Sequence, residues 1–312
     1  MAFDFIVMRP DTDLGLFQLM RKKPIQYMNR LFKPSESILS PGFPKYWTYN
    51  VPKEERGFYQ KVDLLHGKHV LKNSLWKYYH GNNACTFSIE ECYEAFENLS
   101  IDLGQNALNF EIDHVEVGVY FHEDFDLIPR LKAAYKNSLF DAMKKSKSRE
   151  IYGWHLQLTQ FEIKIYDVAK KNILAKDVSY VRPGSYRFEI KYFDRNFLRK
   201  HGVKKGADLF DMESPIYSHW RQVTGGINFR LFPQLSPDMK TSDIKNIMLY
   251  YSDAYSEFNR VLKQKGGGKT DLARVNESVK KSRALLNPKI NLNELLLKEL
   301  NLNLLLSEKK GT

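Results

Sequence analysis

Trp154-His155-Leu156-Gln157-Leu158, a break at Thr159-Gln160, then Phe161-Glu162-Ile163-Lys164-Ile165-Tyr166-Asp167 is the stretch on which the fold turns. Both halves alternate apolar and polar residues, the period-two pattern of strands with one face buried. The apolar phase slips between Leu158 and Phe161, which predicts a tight turn joining two antiparallel strands. After a polar interval the pattern returns in Tyr186-Arg187-Phe188-Glu189-Ile190-Lys191-Tyr192. Glu162, Lys164 and Tyr166 then share the polar face of one strand, and Arg187, Glu189 and Lys191 that of the next.

Upstream, residues 109–121 read as another strand, with Val115, Val117, Val119 and Phe121 on one face and His114, Glu116, Gly118 and Tyr120 on the other. Phe3-Asp4-Phe5-Ile6-Val7 reads as a short strand, as do 58–65 and 70–79, the last ending at the turn signal His80-Gly81-Asn82-Asn83. Ser88-Ile89-Glu90-Glu91 opens a helix with a capping-box pattern, carried on by Cys92, Ala95, Phe96 and Leu99. A second helix is expected through Leu131, Ala134, Leu139 and Met143, closing in the basic run 144–149.

Beyond Asp194 the pattern turns helical at Phe197-Leu198-Arg199-Lys200, is mixed to about residue 237, and is helical again over 243–262. Gly266-Gly267-Gly268 marks a linker before a leucine-rich helical tail. The fold class expected is α+β, a mainly antiparallel sheet with helices packed on one face and a C-terminal helical appendage. The expected division is 1–205 for the α+β domain, 206–265 for a mainly helical extension, and 266–312 for a flexible linker and C-terminal helical tail.

The 312 residues include 48 Lys and Arg against 37 Asp and Glu, a formal net charge of +11. Such an excess favours polyanions, and a 13% aromatic content supplies stacking surfaces for unpaired bases. Two cysteines, Cys85 and Cys92, make no disulfide framework and no zinc site, which points to a reduced compartment. No secretory signal opens the sequence and no apolar run reaches the ~18 residues of a membrane span, so a cytoplasmic protein without a membrane partner is expected. Neither a GxxxxGK[ST] loop nor GxGxxG occurs, which argues against nucleotide hydrolysis and dinucleotide cofactors. The His-x-His metal pair of many strand-nicking enzymes is missing as well.

Glu116, Tyr166 and Glu189 each lie on the polar side of a strand, and neighbouring strands run ~5 Å apart. If those strands are adjacent, two carboxylates and a phenol converge. Paired carboxylates suit Mg²⁺ or Mn²⁺, which would polarise a phosphodiester while the tyrosine attacks phosphorus and Lys164 and Lys191 offset charge. The plainer alternative is a set of cross-strand ion pairs on a solvated face. Asp167, directly after Tyr166, points away from that face unless the strand ends or bulges there.

The order of these motifs resembles the phage and plasmid replication proteins of the gene II / gene X type, rolling-circle initiators without the double-histidine motif. Ser74-Leu75-Trp76-Lys77-Tyr78-Tyr79-His80-Gly81-Asn82-Asn83 is similar to the family's aromatic-x-Gly-Asn turn, and His114-Val115-Glu116-Val117-Gly118-Val119 to its strand with an acidic ligand. Ile165-Tyr166-Asp167 resembles its Tyr-Asp-Lys motif and Tyr186-Arg187-Phe188-Glu189-Ile190 its Arg-x-Glu strand. Val168 stands in place of the motif's lysine, and Lys171 where an acidic residue often follows.

The resemblance implies an endonuclease that nicks an origin strand, with Tyr166 as nucleophile, Glu116, Asp167 and Glu189 as ligands of Mg²⁺ or Mn²⁺, a 5′-phosphotyrosine link and a free 3′ hydroxyl. DNA contacts are expected from Lys164, Arg187, Lys191, Lys144, Lys145, Lys147 and Arg149. A host helicase and a second copy of the chain stand as further partners to test. Two other classes compete: a non-catalytic single-stranded DNA- or RNA-binding protein on the same basic face, and an assembly protein joined through its leucine-rich tail.

Overall fold

The computed structural model describes residues 2–20, 23–38, 45–50, 58–81, 87–144, 150–175, 181–232, 239–251, 269–284 and 291–308. The strands are β1 (Ala2–Arg9), β2 (Ile25–Tyr27), β3 (Arg30–Ile38), β4 (Lys45–Asn50), β5 (Tyr59–Asp63), β6 (Lys68–Ser74) and β7 (Glu111–His122). They continue as β8 (Leu131–Tyr135), β9 (Ser138–Leu139), β10 (Asp141–Lys144), β11 (Ile151–Gln157), β12 (Phe161–Asp167), β13 (Ser185–Tyr192) and β14 (Ile227–Leu231). Eleven of them form one sheet in the order β10-β11-β12-β13-β7-β1-β6-β5-β4-β3-β2, and β14-β8-β9 form a second. Every neighbouring pair in these two sheets is antiparallel. The architecture is the α+β class expected from the alternating runs.

The hairpin expected at Thr159-Gln160 is present. The amide of Leu158 donates to the carbonyl of Phe161 across 2.9 Å, and Gln157 faces Glu162. Because period-two side chains lock register wherever one face is buried, Ile163, Ile165, Phe188, Ile190, Val115, Val117 and Val119 all enter one core. The helices α3 (Ile89–Leu103) and α6 (Pro215–Gly225) cover that face. Phe96 and Leu99 from the first, and Tyr217 and Trp220 from the second, are fully buried there. Leu296 and Leu300 of the helix Leu292–Glu308 join the same core, so this part of the leucine-rich tail is packed on the sheet. Each such side chain withdrawn from water contributes roughly 1.5–3 kcal/mol.

Two expectations are corrected. Residues 131–143 are not a helix but β8, β9 and β10. Leu131, Ala133 and Tyr135 point inward with intermediate residues between them, and β8 pairs with the distant β14, Tyr135 facing Ile227. Lys136 and Asn137 both take positive φ, 47° and 67°, closing a two-residue hairpin of the kind whose twist suits antiparallel strands. The strand expected over 70–79 stops at Ser74, whose hydroxyl accepts from the amide of Lys77 and caps the helix α2 (Leu75–His80). The turn signal at Asn82-Asn83 and the linker at Gly266-Gly267-Gly268 lie outside the described residues.

Candidate functional site

The opposite face of the central strands carries the polar residues. Lys164 faces Glu189, Tyr166 faces Arg187, and Lys191 faces Glu116. These pairs place the expected carboxylates, cations and phenol on adjacent strands. The structure adds a residue from β1. Phe3 faces Val117 and Ile6 faces Val115, so two residues of β1, Asp4 and Phe5, stand against the single residue Glu116. This is the count of a β-bulge, which re-aims side chains at the cost of one ladder bond. Since Phe3 and Ile6 are both fully buried in the core, Asp4 and Phe5 both turn to the opposite, polar face.

Asp4, Glu116 and Glu189 each offer a carboxylate oxygen, and these oxygens lie within 4.8 Å of one another. All three residues are buried. Lys164 Nζ bridges two of them, 2.9 Å from Glu116 Oε1 and 2.8 Å from Glu189 Oε1. Arg187 joins the third, with Nη1 2.7 Å from Asp4 Oδ2 and Nε 3.1 Å from Glu189 Oε2. Ser74 donates its hydroxyl to the other oxygen of Asp4. Lys191 Nζ stands 3.7 Å from Glu116. The guanidinium of Arg187 lies 4.4 Å over the Trp76 ring, and its Nη2 has no acceptor among the described residues.

Tyr166 donates its hydroxyl to Glu189 Oε2 at 3.2 Å. The tyrosine is 1% exposed, packed with Val168 and Val181, and the Lys171 ammonium stands 4.2 Å over its ring. Val168 and Lys171 belong to the first turn of the helix α4 (Val168–Ala175) and, with Val181, cover the phenol.

Two glycines make room for this arrangement. Gly153 faces Tyr166, and a Cβ there would stand 2.5 Å from Tyr166 Cβ. Gly118 faces Glu189, and a Cβ there would stand 2.9 Å from the Phe188 carbonyl and 3.0 Å from Glu189 Cβ.

Charge decides the protonation states. Burial works against ionised Glu189, but Lys164, Arg187 and Lys171 outweigh it and hold the carboxyl far below its usual range. Glu116 is pushed the other way, by burial and by the negative charge of Glu189, with Lys164 opposing. Burial also drives the Tyr166 phenol well above its ordinary value. Lys164 loses solvation but gains more from Glu189 and Glu116, so it stays charged.

Asp167 is not brought to this group. β12 stays regular to its last residue, Asp167 faces Tyr186 of the core, and its Oδ1 accepts from the Lys170 amide at 2.8 Å as a cap for α4. Lys144 is exposed at the end of the edge strand β10. Lys145, Lys147 and Arg149 lie outside the described residues. His122 pairs with Asp124 at 3.1 Å, away from the carboxylates.

Sequence reasoning missed Asp4. The signal was present in Phe3-Asp4-Phe5-Ile6-Val7, where strict alternation buries Phe3, Phe5 and Val7 only by exposing Ile6. A bulge resolves that conflict. No family model matches the chain, and no curated protein matches it.

Three oxygen donors at this spacing suit a hard divalent cation. The same oxygens are already neutralised in large part by Lys164 and Arg187, so a metal ion there competes with Lys164 for Glu116 and Glu189.

Proposed function

We propose that this chain is a metal-dependent DNA strand-transferase of the rolling-circle initiator type, a nickase and rejoining enzyme that uses Tyr166. The observation that carries the reading is the hydrogen bond from Tyr166 to Glu189, a member of the buried carboxylate group with Asp4 and Glu116. A nucleophile held by one carboxylate of a cluster of oxygen donors is the arrangement such chemistry needs.

The reaction conserves phosphodiester bonds. The Tyr166 oxygen bonds to phosphorus as the bond to the 3′ oxygen breaks, and the phenolic proton ends on that 3′ oxygen. Glu189 orients the phenol through its hydrogen bond. Lys164 and Arg187 face the charge that builds on the phosphoryl oxygens. Asp4, Glu116 and Glu189 would hold Mg²⁺ or Mn²⁺, which supplies Lewis-acid polarisation of the phosphate. DNA reaches the phenol only when the cover formed by Val168, Lys171 and Val181 shifts. The excess of basic residues draws DNA to the protein, and a replication role fits a cytoplasmic location. No helix among the described residues is long and apolar enough to cross a membrane.

A second reading rests on Lys164. With its ammonium between Glu116 and Glu189, the group balances much of its charge without metal, as a binding protein's structural network would. The test is incubation with 3′-labelled single-stranded DNA from the parent element. A label retarded on a denaturing gel with Mg²⁺ or Mn²⁺, and free with EDTA, supports the transferase. Tight binding with no retarded label under any metal supports the binding protein.

A further inference from the structure

The polar face does not end at the carboxylates. Opposed residues in antiparallel strands point to the same side, and the register runs outward from His114 to Val7, from Val7 to Lys72 and from Lys72 to Tyr59. Phe5 faces Ser74 on the same side of the same strand pair. Two aromatic rings and a run of cations therefore continue the site across β1, β6 and β5.

Neither ring belongs to the core. Tyr59 is 42% exposed and Phe5 is partly exposed, and neither enters an apolar cluster. Each has a lysine over it. Lys72 Nζ lies 5.0 Å from the Tyr59 centroid, and Lys191 Nζ lies 5.2 Å from that of Phe5. A flat ring with an adjacent ammonium matches the two parts of a nucleotide, the base on the ring and the phosphate on the cation. The two rings stand two strand spacings apart, ~10 Å, far enough to take separate bases. Duplex DNA offers no free base faces, so the rings select unpaired strands. The bulge ties this surface to the chemistry, because its two residues divide the work: Asp4 joins the carboxylates and Phe5 the aromatic row.

We infer that Phe5 and Tyr59, with Lys191 and Lys72, form a stacking platform that binds single-stranded DNA beside the carboxylate group. The choice of DNA rests on the transferase reading; the platform itself rests on the rings and cations.

The experiment measures anisotropy of a labelled oligothymidylate with the full chain over a range of salt. Tyr59→Ala and Phe5→Leu are expected to weaken binding about tenfold, within what one base–aromatic stack supplies. On an abasic strand of equal length these two variants bind like the parent. Tyr59→Phe keeps the ring and loses only its 3.3 Å hydrogen bond to Asn50, so its affinity stays within about twofold. Lys72→Gln lowers the log–log salt slope by about 0.7.

Unchanged affinity in Tyr59→Ala, or an equal loss on the abasic strand, overturns the platform. Oligouridylate bound tenfold more tightly than oligothymidylate overturns the choice of DNA. Covalent adduct formation alongside Tyr59-independent binding removes the platform and leaves the transferase. Tyr59-dependent binding without adduct on any DNA does the reverse.

Discussion

The Tyr166 hydroxyl donates to Glu189 Oε2 across 3.2 Å, and both side chains are almost completely buried. Tyr166→Phe keeps the ring and removes the phenolic oxygen. Adduct formation should vanish while affinity for single-stranded DNA stays within about twofold. Thermal unfolding should show a loss no larger than about 1.5 kcal/mol, the net worth of one hydrogen bond. Retained adduct in this variant would transfer the nucleophile's role elsewhere.

Lys164 is the cation that a metal ion must compete with. Lys164→Met leaves Glu116 and Glu189 without the ammonium that bridges them, and removing one partner of a buried ion pair costs about 3–5 kcal/mol. Mn²⁺ should restore part of that loss and should raise the melting temperature of the variant more than that of the parent chain. Equal, small responses to Mn²⁺ in both proteins would count against a cation site here.

Asp4 and Asp167 separate cleanly. Asp4→Asn should weaken Mn²⁺ binding, followed by calorimetry, because its carboxylate belongs to the group of three. Asp167→Asn should leave Mn²⁺ binding unchanged and cost no more than about 1 kcal/mol of stability, since its work is to cap α4. The opposite pattern would restore Asp167 as the ligand that the family resemblance implies.

Acid stability should be set in part by His69 and His219. Burial lowers the His69 ring to about 4, and His219 also to about 4, with burial again the main cause and His201 adding to it. As pH falls below about 6.5 the unfolded chain takes up these protons and the folded chain does not, so the contribution of these two histidines to stability drops until about pH 4 and then levels. For His69, held between Phe32 and Tyr27, the shift corresponds to about 3 kcal/mol. Denaturant melts between pH 7 and 4 should show this decline, and His69→Gln should flatten it.

Gly153→Ala tests the packing behind Tyr166. A methyl group 2.5 Å from Tyr166 Cβ forces β11 and β12 apart. The expected cost is about 1–3 kcal/mol, together with a lower adduct rate at saturating DNA. An unaffected rate in a destabilised variant would show that the position of Tyr166 tolerates the shift.

The legible parts of this protein are those where one face is buried without interruption. In β12 and β13 each apolar residue is a core residue, so the polar partners Lys164, Tyr166, Arg187 and Glu189 could be placed on one side from the sequence alone. Asp4 was not legible because a bulge breaks the period that the reading depends on. The 131–143 segment misled for another reason. Ala133 and Ala134 favour helix locally, and the pairing of β8 with β14 that overrides them comes from more than ninety residues downstream. Adjacency of the motif strands was an assumption in the sequence and is an observation in the structure.

The central claim is that Tyr166 becomes joined to DNA. The most direct measurement is protease digestion of the metal-dependent adduct followed by mass spectrometry of the nucleotide-bearing peptide. The account predicts a 5′-phosphorylated oligonucleotide on Tyr166 in the Phe161–Asp167 strand. A nucleotide on any other tyrosine, or no adduct on either strand of the parent element, contradicts it.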